Sequence, residues 1–204
     1  RMAGLHHSQG AVRPGEWNAT IGTTLVIKGT TIEPTVDPLG RIYNHRHPQG
    51  FWMPGAASNT GAAWISAWYP ERDLAELDRL AAAVIPTGEL TYPLIGTGER
   101  FPFISTTATG FGSDGPDEIV RYTAALEGVA YLERMAFDLV EALSGERVEA
   151  ISTAGGGSAG DTWLRIRANV LDRPVRKVRN ANAATGAAMI AASGCWYPGL
   201  IEAV

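Results

Sequence analysis

The sequence predicts a mixed α/β domain in which helices flank a β-sheet. Three observations support this: segments rich in Thr, Ile and Val near the start, a long apolar helix pattern in the middle, and two strand–helix pairs at the end. Repeated strand–helix pairs build a sheet covered by helices, whose ligands usually lie beyond the carboxyl ends of the strands. The 204 residues, 45% of them hydrophobic and 19% charged, are expected to form a single domain over residues 1–204.

The first half of the chain contains three predicted strands and two predicted helices. Ser58 and Asn59 are residue types that commonly cap a helix, and an apolar stripe through Leu74, Leu77 and Ala81 indicates an amphipathic helix. In chain order the predictions are two strands within residues 16–31 that meet at Gly22, a strand over 40–47, a helix over 58–69 and a helix over 71–85.

The second half begins with a region that glycine and proline interrupt. Residues 86–115 are predicted to form an ordered loop region with room for two short strands. Pro116 is placed in the first turn of the longest predicted helix, over residues 116–143. The remaining predictions are a strand over 147–153, a helix over 160–171, a strand over 174–178 and a helix over 182–193.

Composition narrows the class of protein. The net charge of −4 gives no reason to expect binding to nucleic acid or to an anionic membrane surface. No apolar run approaches the roughly 20 residues that span a bilayer, and the first residues lack the apolar centre of a signal peptide. Cys195 is the only cysteine, which excludes an internal disulfide and suits a reducing compartment. A cytoplasmic protein is therefore expected.

Three consecutive glycines stand where a predicted strand meets a predicted helix, in AISTAGGGSAGDTW (residues 150–163). With Gly160 they match the G-x-G-x-x-G pattern of dinucleotide-binding turns, in which backbone N–H groups hold a pyrophosphate. The following strand and its flank, PVRKVRN (residues 174–180), are basic rather than acidic, which would suit the 2′-phosphate of NADP. An NADP-binding domain and a tight turn that binds no ligand are both open at this point.

Six stretches occur in one order along the chain: GTTLVIKG (22–29), SNTGAAW (58–64), GTGERFPF (96–103), AALEGVAYLERM (124–135), GGGSAGDTWLRIRANVLDRPV (155–175) and ATGAAMIAASG (184–194). Together they resemble the C-terminal domain of the FGGY carbohydrate kinases, the relatives of glycerol kinase, xylulokinase and ribulokinase. The resemblance covers the chain from about Gly10 onward and implies the actin-like, RNase-H-type ATPase fold. GERFPF and EGVAYLER are most similar to the pentulose kinases of that family.

The resemblance also implies a ligand and the residues that contact it. ATP, accompanied by Mg²⁺, would lie between two domains, of which this one holds the adenosine and part of the phosphate chain. A threonine hydroxyl and backbone N–H groups of a hairpin turn would donate to phosphate oxygens. The residues that match the family's nucleotide side are Gly22, Thr23 and Thr24 of that turn, Gly61, Gly155, Gly156 and Gly157 against the adenosine, and Gly160 or Asp161 near the adenine.

No residue of this chain matches the base of the family. FGGY kinases use an aspartate that precedes the phosphate-facing hairpin by a couple of turns, whereas the first aspartate here is Asp37, and His7 in GLHHS is not assigned as the base. The resemblance therefore implies that a carbohydrate substrate is held mainly by an N-terminal domain outside this chain, that the full-length enzyme could form a homodimer, and that this chain alone is inactive. A non-catalytic actin-like binding module is the alternative.

Polar residues outside these motifs are interpreted as structural. His45 and His47 alternate along the third predicted strand, a spacing able to ligate a metal. No cysteine or clustered carboxylate joins them, so exposed strand histidines are the preferred interpretation and no metal site is predicted. Glu99 and Arg100 are interpreted as an ion pair or as the anchor of a loop.

Overall fold

The computed structural model describes residues 11–178, 183–193 and 195–198. The described strands are β1 (Glu16–Ile21), β2 (Leu25–Gly29), β3 (Tyr43–Arg46), β4 (Trp52–Ala57), β5 (Tyr92–Glu99), β6 (Ser105–Phe111), β7 (Ala150–Ala154) and β8 (Val175–Lys177). The described α-helices are α1 (Ala63–Trp68), α2 (Leu74–Ala81), α3 (Glu118–Ser144), α4 (Asp161–Leu171) and α5 (Ala183–Ala192), with a 3-10 turn over Gly156–Ser158. None of these helices combines the length and apolar character needed to cross a membrane.

Six of the described strands form one mixed sheet in the order β3-β4-β2-β1-β7-β8. β1 pairs antiparallel with β2 across the turn of residues 22–24. On its other side β1 pairs parallel with β7, with Thr20 opposite Ala154, and β7 pairs parallel with β8. The predicted mixed sheet is confirmed. Because β1 and β7 are parallel, their carboxyl ends lie side by side.

The core lies between this sheet and the helices. Trp17 of β1 packs edge-on against Phe137 of α3, with ring centroids 6.0 Å apart. Helix α4 joins the same core through Trp163, whose indole N–H donates to the Leu126 carbonyl at 3.1 Å. These contacts fix α4, and with it the glycine-rich turn that precedes it, against the sheet.

Two predicted helix starts are wrong. Ser58 and Asn59 do not cap α1, which begins later, because the Ser58 hydroxyl and the Asn59 N–H both donate to Glu99. Helix α3 begins after Asp117, whose carboxylate accepts from two N–H groups of the first turn, so Pro116 lies before the cap rather than inside the turn.

Strand β4 is absent from the predictions because Pro54 and Gly55 interrupt its strand pattern. In the structure β4 lies between β2 and β3. Its pairing with β2 runs from Ala57 to Gly55, so the proline, which has no N–H to donate, lies beyond the stretch that pairs with β2. The strand is largely buried, and burial rather than local propensity selects its conformation.

Strands β5 and β6 are longer than the short strands predicted in the glycine- and proline-rich region. They pair antiparallel as a separate two-stranded sheet, with register shifts between Tyr92 and Glu99. Gly110 permits the close approach of the two strands, since a Cβ at that position would lie 2.1 Å from the Leu94 carbonyl oxygen. Gly110 is typical of a loop by composition, but in the structure it serves backbone contact within a strand pair.

Lys28 of β2 is a buried cation, 3% exposed, that pairs with no carboxylate of the described residues. Its ammonium donates to His45 Nδ1 at 2.8 Å and lies over the Tyr43 ring. Burial lowers the pKa of Lys28 from 10.5 to about 8. Between those two pH values the unfolded chain holds more protons than the folded one, so the free energy of unfolding must rise with pH there.

We expect the parent protein to gain about 1 to 2 kcal/mol of stability from about pH 7.5 to about pH 9.5, relative to Lys28→Met, which carries no titrating group at this position. Chemical denaturation of both proteins at each pH measures the difference. Equal pH dependence of the two proteins would show that Lys28 is solvated enough to keep an ordinary pKa.

Candidate functional site

Two predicted site segments meet at one end of the six-stranded sheet. The turn of residues 22–24 follows β1, and the glycine run follows β7, the parallel neighbour of β1. A Cβ at Gly155 would lie 2.7 Å from the Ile21 carbonyl oxygen, and a Cβ at Gly157 would lie 2.6 Å from Ile21 Cβ. The two segments are therefore in direct contact at the carboxyl ends of their strands, although more than a hundred residues separate them in the sequence.

The turn after β1 presents polar groups to the surface. Gly22 and Thr23 are exposed and Thr24 is half-buried. The Gly22 N–H donates to the Thr24 carbonyl at 3.1 Å, which closes the turn. An exposed hydroxyl on a closed turn at a sheet end can donate to an anion held there.

Gly61 packs directly against the backbone of this turn. It is buried, and a Cβ there would lie 2.5 Å from the Thr24 carbonyl carbon. Beside it, the Ala62 N–H donates to the Gly22 carbonyl at 2.7 Å, and the Leu25 N–H donates to the Thr60 carbonyl at 3.0 Å. The absence of a side chain at position 61 is accounted for by this close packing, and contact of Gly61 with a nucleotide stays a prediction.

The three consecutive glycines have different surroundings. Gly155 has φ +86° and ψ −177°, a conformation open essentially to glycine alone. Gly157 is buried against Ile21. Gly156 is exposed, has no positive φ, and has no atom within 4 Å of the place where a Cβ would stand. Internal packing thus explains two of the glycines and leaves open space above the third.

That open space belongs to a cavity of about 340 Å³ between α1, α2, α3 and the start of α4. Its walls combine apolar residues with two acidic residues, Asp78 of α2 and Asp161 of α4. The residues that line it include Ile65, Asp78, Tyr122, Gly156, Gly160, Asp161 and Trp163. Gly160 and Asp161 line the same cavity as Gly156, and their contact with the adenine stays a prediction. Asp78, Tyr122 and Trp163 were not assigned to the site from the sequence.

Asp78 caps helix α4 from a different helix. Its carboxylate accepts from the Thr162 N–H at 3.1 Å and from the Trp163 N–H at 3.3 Å. Glycine at position 160 makes room for it, because a Cβ there would lie 2.2 Å from an Asp78 carboxylate oxygen. A pyrophosphate bound in the dinucleotide manner would need those N–H groups and would meet this negative charge. The amino end of α4 therefore suits the uncharged part of a nucleotide.

The interpretation of Glu99 as the anchor of a loop is confirmed. Its carboxylate is buried and accepts from the Ser58 hydroxyl at 2.8 Å and from the Asn59 N–H at 2.6 Å, so it anchors a loop. Arg100 contributes its backbone N–H at 2.9 Å and forms no ion pair with Glu99.

The histidines do not form a metal site among the residues that the structure describes. His45 is exposed on β3 and accepts from Lys28. His47 lies beyond the end of β3 and is buried against Phe51, so it is not the exposed strand residue expected from the sequence. No group of three His, Cys, Asp or Glu side chains in the described ranges is placed to hold a metal ion. His6 and His7 lie outside them.

Comparison with known proteins decides the family. A family model described as the FGGY family of carbohydrate kinases, C-terminal domain, matches residues 17–195. The chain belongs to this family. Its fold is accordingly the actin-like ATPase fold, and family membership replaces the NADP-binding alternative.

Individual FGGY relatives have different names and are all longer. Xylulose kinase of Bacillus subtilis (strain 168) is 28% identical over 204 residues, covering 95% of this chain and 41% of that protein. Gluconokinase of Bacillus licheniformis is 29% identical over 187 residues, covering 81% of this chain and 36% of that protein. The crystal structure of xylulose kinase from Rhodospirillum rubrum matches with a TM-score of 0.83 and 25% identity, covering 99% of this chain and 43% of that one. The chain thus spans about two fifths of the length of these relatives.

Proposed function

We propose that this FGGY domain is the ATP-binding half of a cytoplasmic, ATP-dependent sugar kinase that transfers the γ-phosphoryl group to a hydroxyl of a ketopentose. The observation that supports it most is the open space over Gly156. That space continues into a cavity at the same sheet end as the turn of residues 22–24. One nucleotide extended along this end would contact both segments.

In this proposal the cavity binds the adenosine and the turn of residues 22–24 binds the phosphates. The apolar walls of the cavity suit the adenine ring, and the Asp78 carboxylate can accept from a ribose hydroxyl or an exocyclic amine. The bare backbone at Gly156 lets the adenosine lie directly against the chain. Thr23 and the N–H groups of its turn would receive the phosphates, away from Asp78.

In this proposal Mg²⁺ enters this half of the site bound to the phosphates of ATP. Among the described residues no group of three or more His, Cys, Asp or Glu side chains is placed to hold a metal ion, so the ion would reach this part of the site bound to ATP. Mg²⁺ bound to ATP neutralises charge on the phosphate oxygens. The residues of this domain would position the nucleotide. Positioning of the reactants is a main source of catalysis in phosphoryl transfer.

The identity of the substrate, a ketopentose, is the most specific part of the proposal. It is supported by the xylulose kinases among the relatives, while gluconokinases and glycerol kinases also match. Coupled ADP release by the full-length protein, measured with xylulose, ribulose, gluconate and glycerol, tests it. The proposal requires the highest kcat/KM for a ketopentose. A preference for gluconate or glycerol would overturn the substrate, and no turnover with any sugar would favour a non-catalytic binding module.

The purified chain of residues 1–204 is expected to bind ATP weakly and to show no sugar-dependent ADP release. Half of a cleft supplies half of the contacts, and closure of two domains is what excludes water from the reaction. Calorimetry with ATP and the same coupled assay measure both quantities. Sugar phosphorylation by this chain alone would show that it carries a base which the resemblance does not identify.

A further inference from the structure

The loop of residues 58–61 is held between the turn of residues 22–24 and a single buried carboxylate. On the turn side, the Ser58 N–H donates to the Leu25 carbonyl at 2.9 Å, and Gly61 packs on the backbone of Thr24. The Leu25 N–H and the Thr60 carbonyl complete the pairing. The conformation of the turn therefore depends on where this loop stands.

On the other side, Glu99 of β5 satisfies the polar groups of the loop. One carboxylate oxygen accepts from the Ser58 and Thr60 hydroxyls, at 2.8 and 3.0 Å. The same oxygen accepts from the Tyr92 hydroxyl at 2.9 Å, and the other accepts from the Asn59 N–H at 2.6 Å. Buried donors of this kind cannot turn to water if the carboxylate is removed, so the loop has one favourable position.

Glu99 is ionised when it holds the loop. Burial by itself would raise the pKa of Glu99, but hydrogen bonds from the Asn59 and Arg100 N–H groups and from the Ser58 hydroxyl stabilise the charged form and bring its pKa below the usual value. Hydrogen bonds to an ionised acceptor are roughly twice as strong as neutral ones.

We propose that Glu99 is a positioning residue for the phosphate-binding turn: it fixes the loop of residues 58–61, which in turn fixes Gly22, Thr23 and Thr24. This inference rests on the proposed function, since it concerns how that turn meets the phosphates of ATP. Glu99 stands on the separate β5–β6 sheet, so this hairpin would act on the nucleotide site through the loop of residues 58–61. Binding groups must be held within about 0.5 Å of their productive geometry, which is the precision that such an anchor supplies.

The test compares ATP with adenosine as ligands of the full-length protein. Adenosine occupies only the cavity beside Gly156, whereas ATP also needs the turn. Glu99→Gln keeps the size of the side chain but removes the charge and turns one acceptor into a donor facing other donors. We expect ATP affinity to fall about tenfold or more while adenosine affinity changes less than about twofold.

Glu127→Gln is the matched control. Glu127 is also 3% exposed and anchors a loop, accepting from the Thr87 N–H and hydroxyl, but it lies on α3 away from the turn. Its ratio of ATP to adenosine affinity should equal that of the parent. If Glu99→Gln does not fold, Thr60→Val, which removes one donor to the same oxygen, should lower the ratio in the same direction.

Two outcomes would overturn the positioning role. The first is a ratio of ATP to adenosine affinity that equals the parent's in folded Glu99→Gln, or in Thr60→Val if Glu99→Gln does not fold. The second is an equal fall of this ratio in Glu127→Gln, which would mean that any destabilised variant loses ATP affinity. Failure of the parent itself to bind ATP would instead refute the proposed function, so the two failures are distinguishable.

Discussion

Gly156→Val is expected to abolish detectable ATP binding by the full-length protein while the free energy of unfolding changes by less than about 1 kcal/mol. The backbone at Gly156 needs no positive φ, and nothing stands within 4 Å of the place of a Cβ. A valine can therefore be built without internal conflict, but its methyl groups would fill the space proposed for the adenosine. Gly156→Ala should fold normally and lose part of the affinity. Chemical denaturation without ligand and calorimetry with ATP measure the two effects.

Gly155→Ala is the control for this prediction. Its φ of +86° with ψ of −177° is strained for any residue with a Cβ, and that Cβ would also lie 2.7 Å from the Ile21 carbonyl oxygen. We expect a loss of about 1–3 kcal/mol of stability whether or not ATP is present. A stable Gly156→Val protein that binds ATP as tightly as the parent would mean that the glycine run is only a turn.

Arg167→Met is expected to destabilise the protein by about 3–5 kcal/mol, the largest loss of stability predicted here. Arg167 and Glu133 form an ion pair in which both side chains are fully buried, with the guanidinium nitrogens 2.7 and 2.8 Å from the carboxylate oxygens. Arg167 also donates to the Thr153 hydroxyl at 2.8 Å, and that hydroxyl donates to the Ala19 carbonyl. Removing the arginine leaves a buried carboxylate without a counter-charge and loosens α4 from β7.

Arg134→Met supplies the matched control on the same helix as Glu133. Arg134 pairs with Asp138 at 2.8 Å, but the two side chains are 40% and 50% exposed. Exposed pairs contribute about 0.2–1 kcal/mol, so this variant should lose little stability. The double variant Glu133→Leu with Arg167→Met should recover most of the loss, since apolar replacements of a buried pair are often neutral. Urea denaturation gives all three values. Equal losses in Arg167→Met and Arg134→Met would show that water reaches the buried pair.

The sequence predicted those parts of the fold that local patterns specify. The amphipathic helix α2, the long apolar pattern of α3 and the strand–helix pair around the glycine run all appear in the structure. In α2 the predicted apolar stripe is buried at Leu77 and Ala81 but not at Leu74, which is 45% exposed. Strand β4 could not be predicted, because its Pro54-Gly55 pair has low strand propensity and only burial between two neighbours makes it a strand. The paired length of β5 and β6 was likewise hidden by their glycines.

Some residues of the candidate site could likewise be predicted from the sequence, whereas others are brought to it only by tertiary contacts. The turn of residues 22–24 and the glycine run stand out in the sequence because their composition is costly unless a turn or a ligand requires it. Asp78 carries no such signal: it lies within the amphipathic helix α2, and only the tertiary structure brings it to the first turn of α4. The interpretation of Glu99 as a loop anchor was correct. The sequence does not show which loop it holds, because its partners in that loop lie 39 to 41 residues away along the chain.

The structure of the full-length protein with a non-hydrolysable ATP analogue tests the central claim most directly, because that claim places one nucleotide on both the turn of residues 22–24 and the glycine run. We expect the adenosine to lie within about 4 Å of the Gly156 backbone, inside the cavity that Asp78 and Trp163 line. We also expect a phosphate oxygen about 3 Å from the Thr23 hydroxyl or from an N–H group of its turn. A nucleotide bound elsewhere, or one whose phosphates point away from the turn of residues 22–24, would contradict the account.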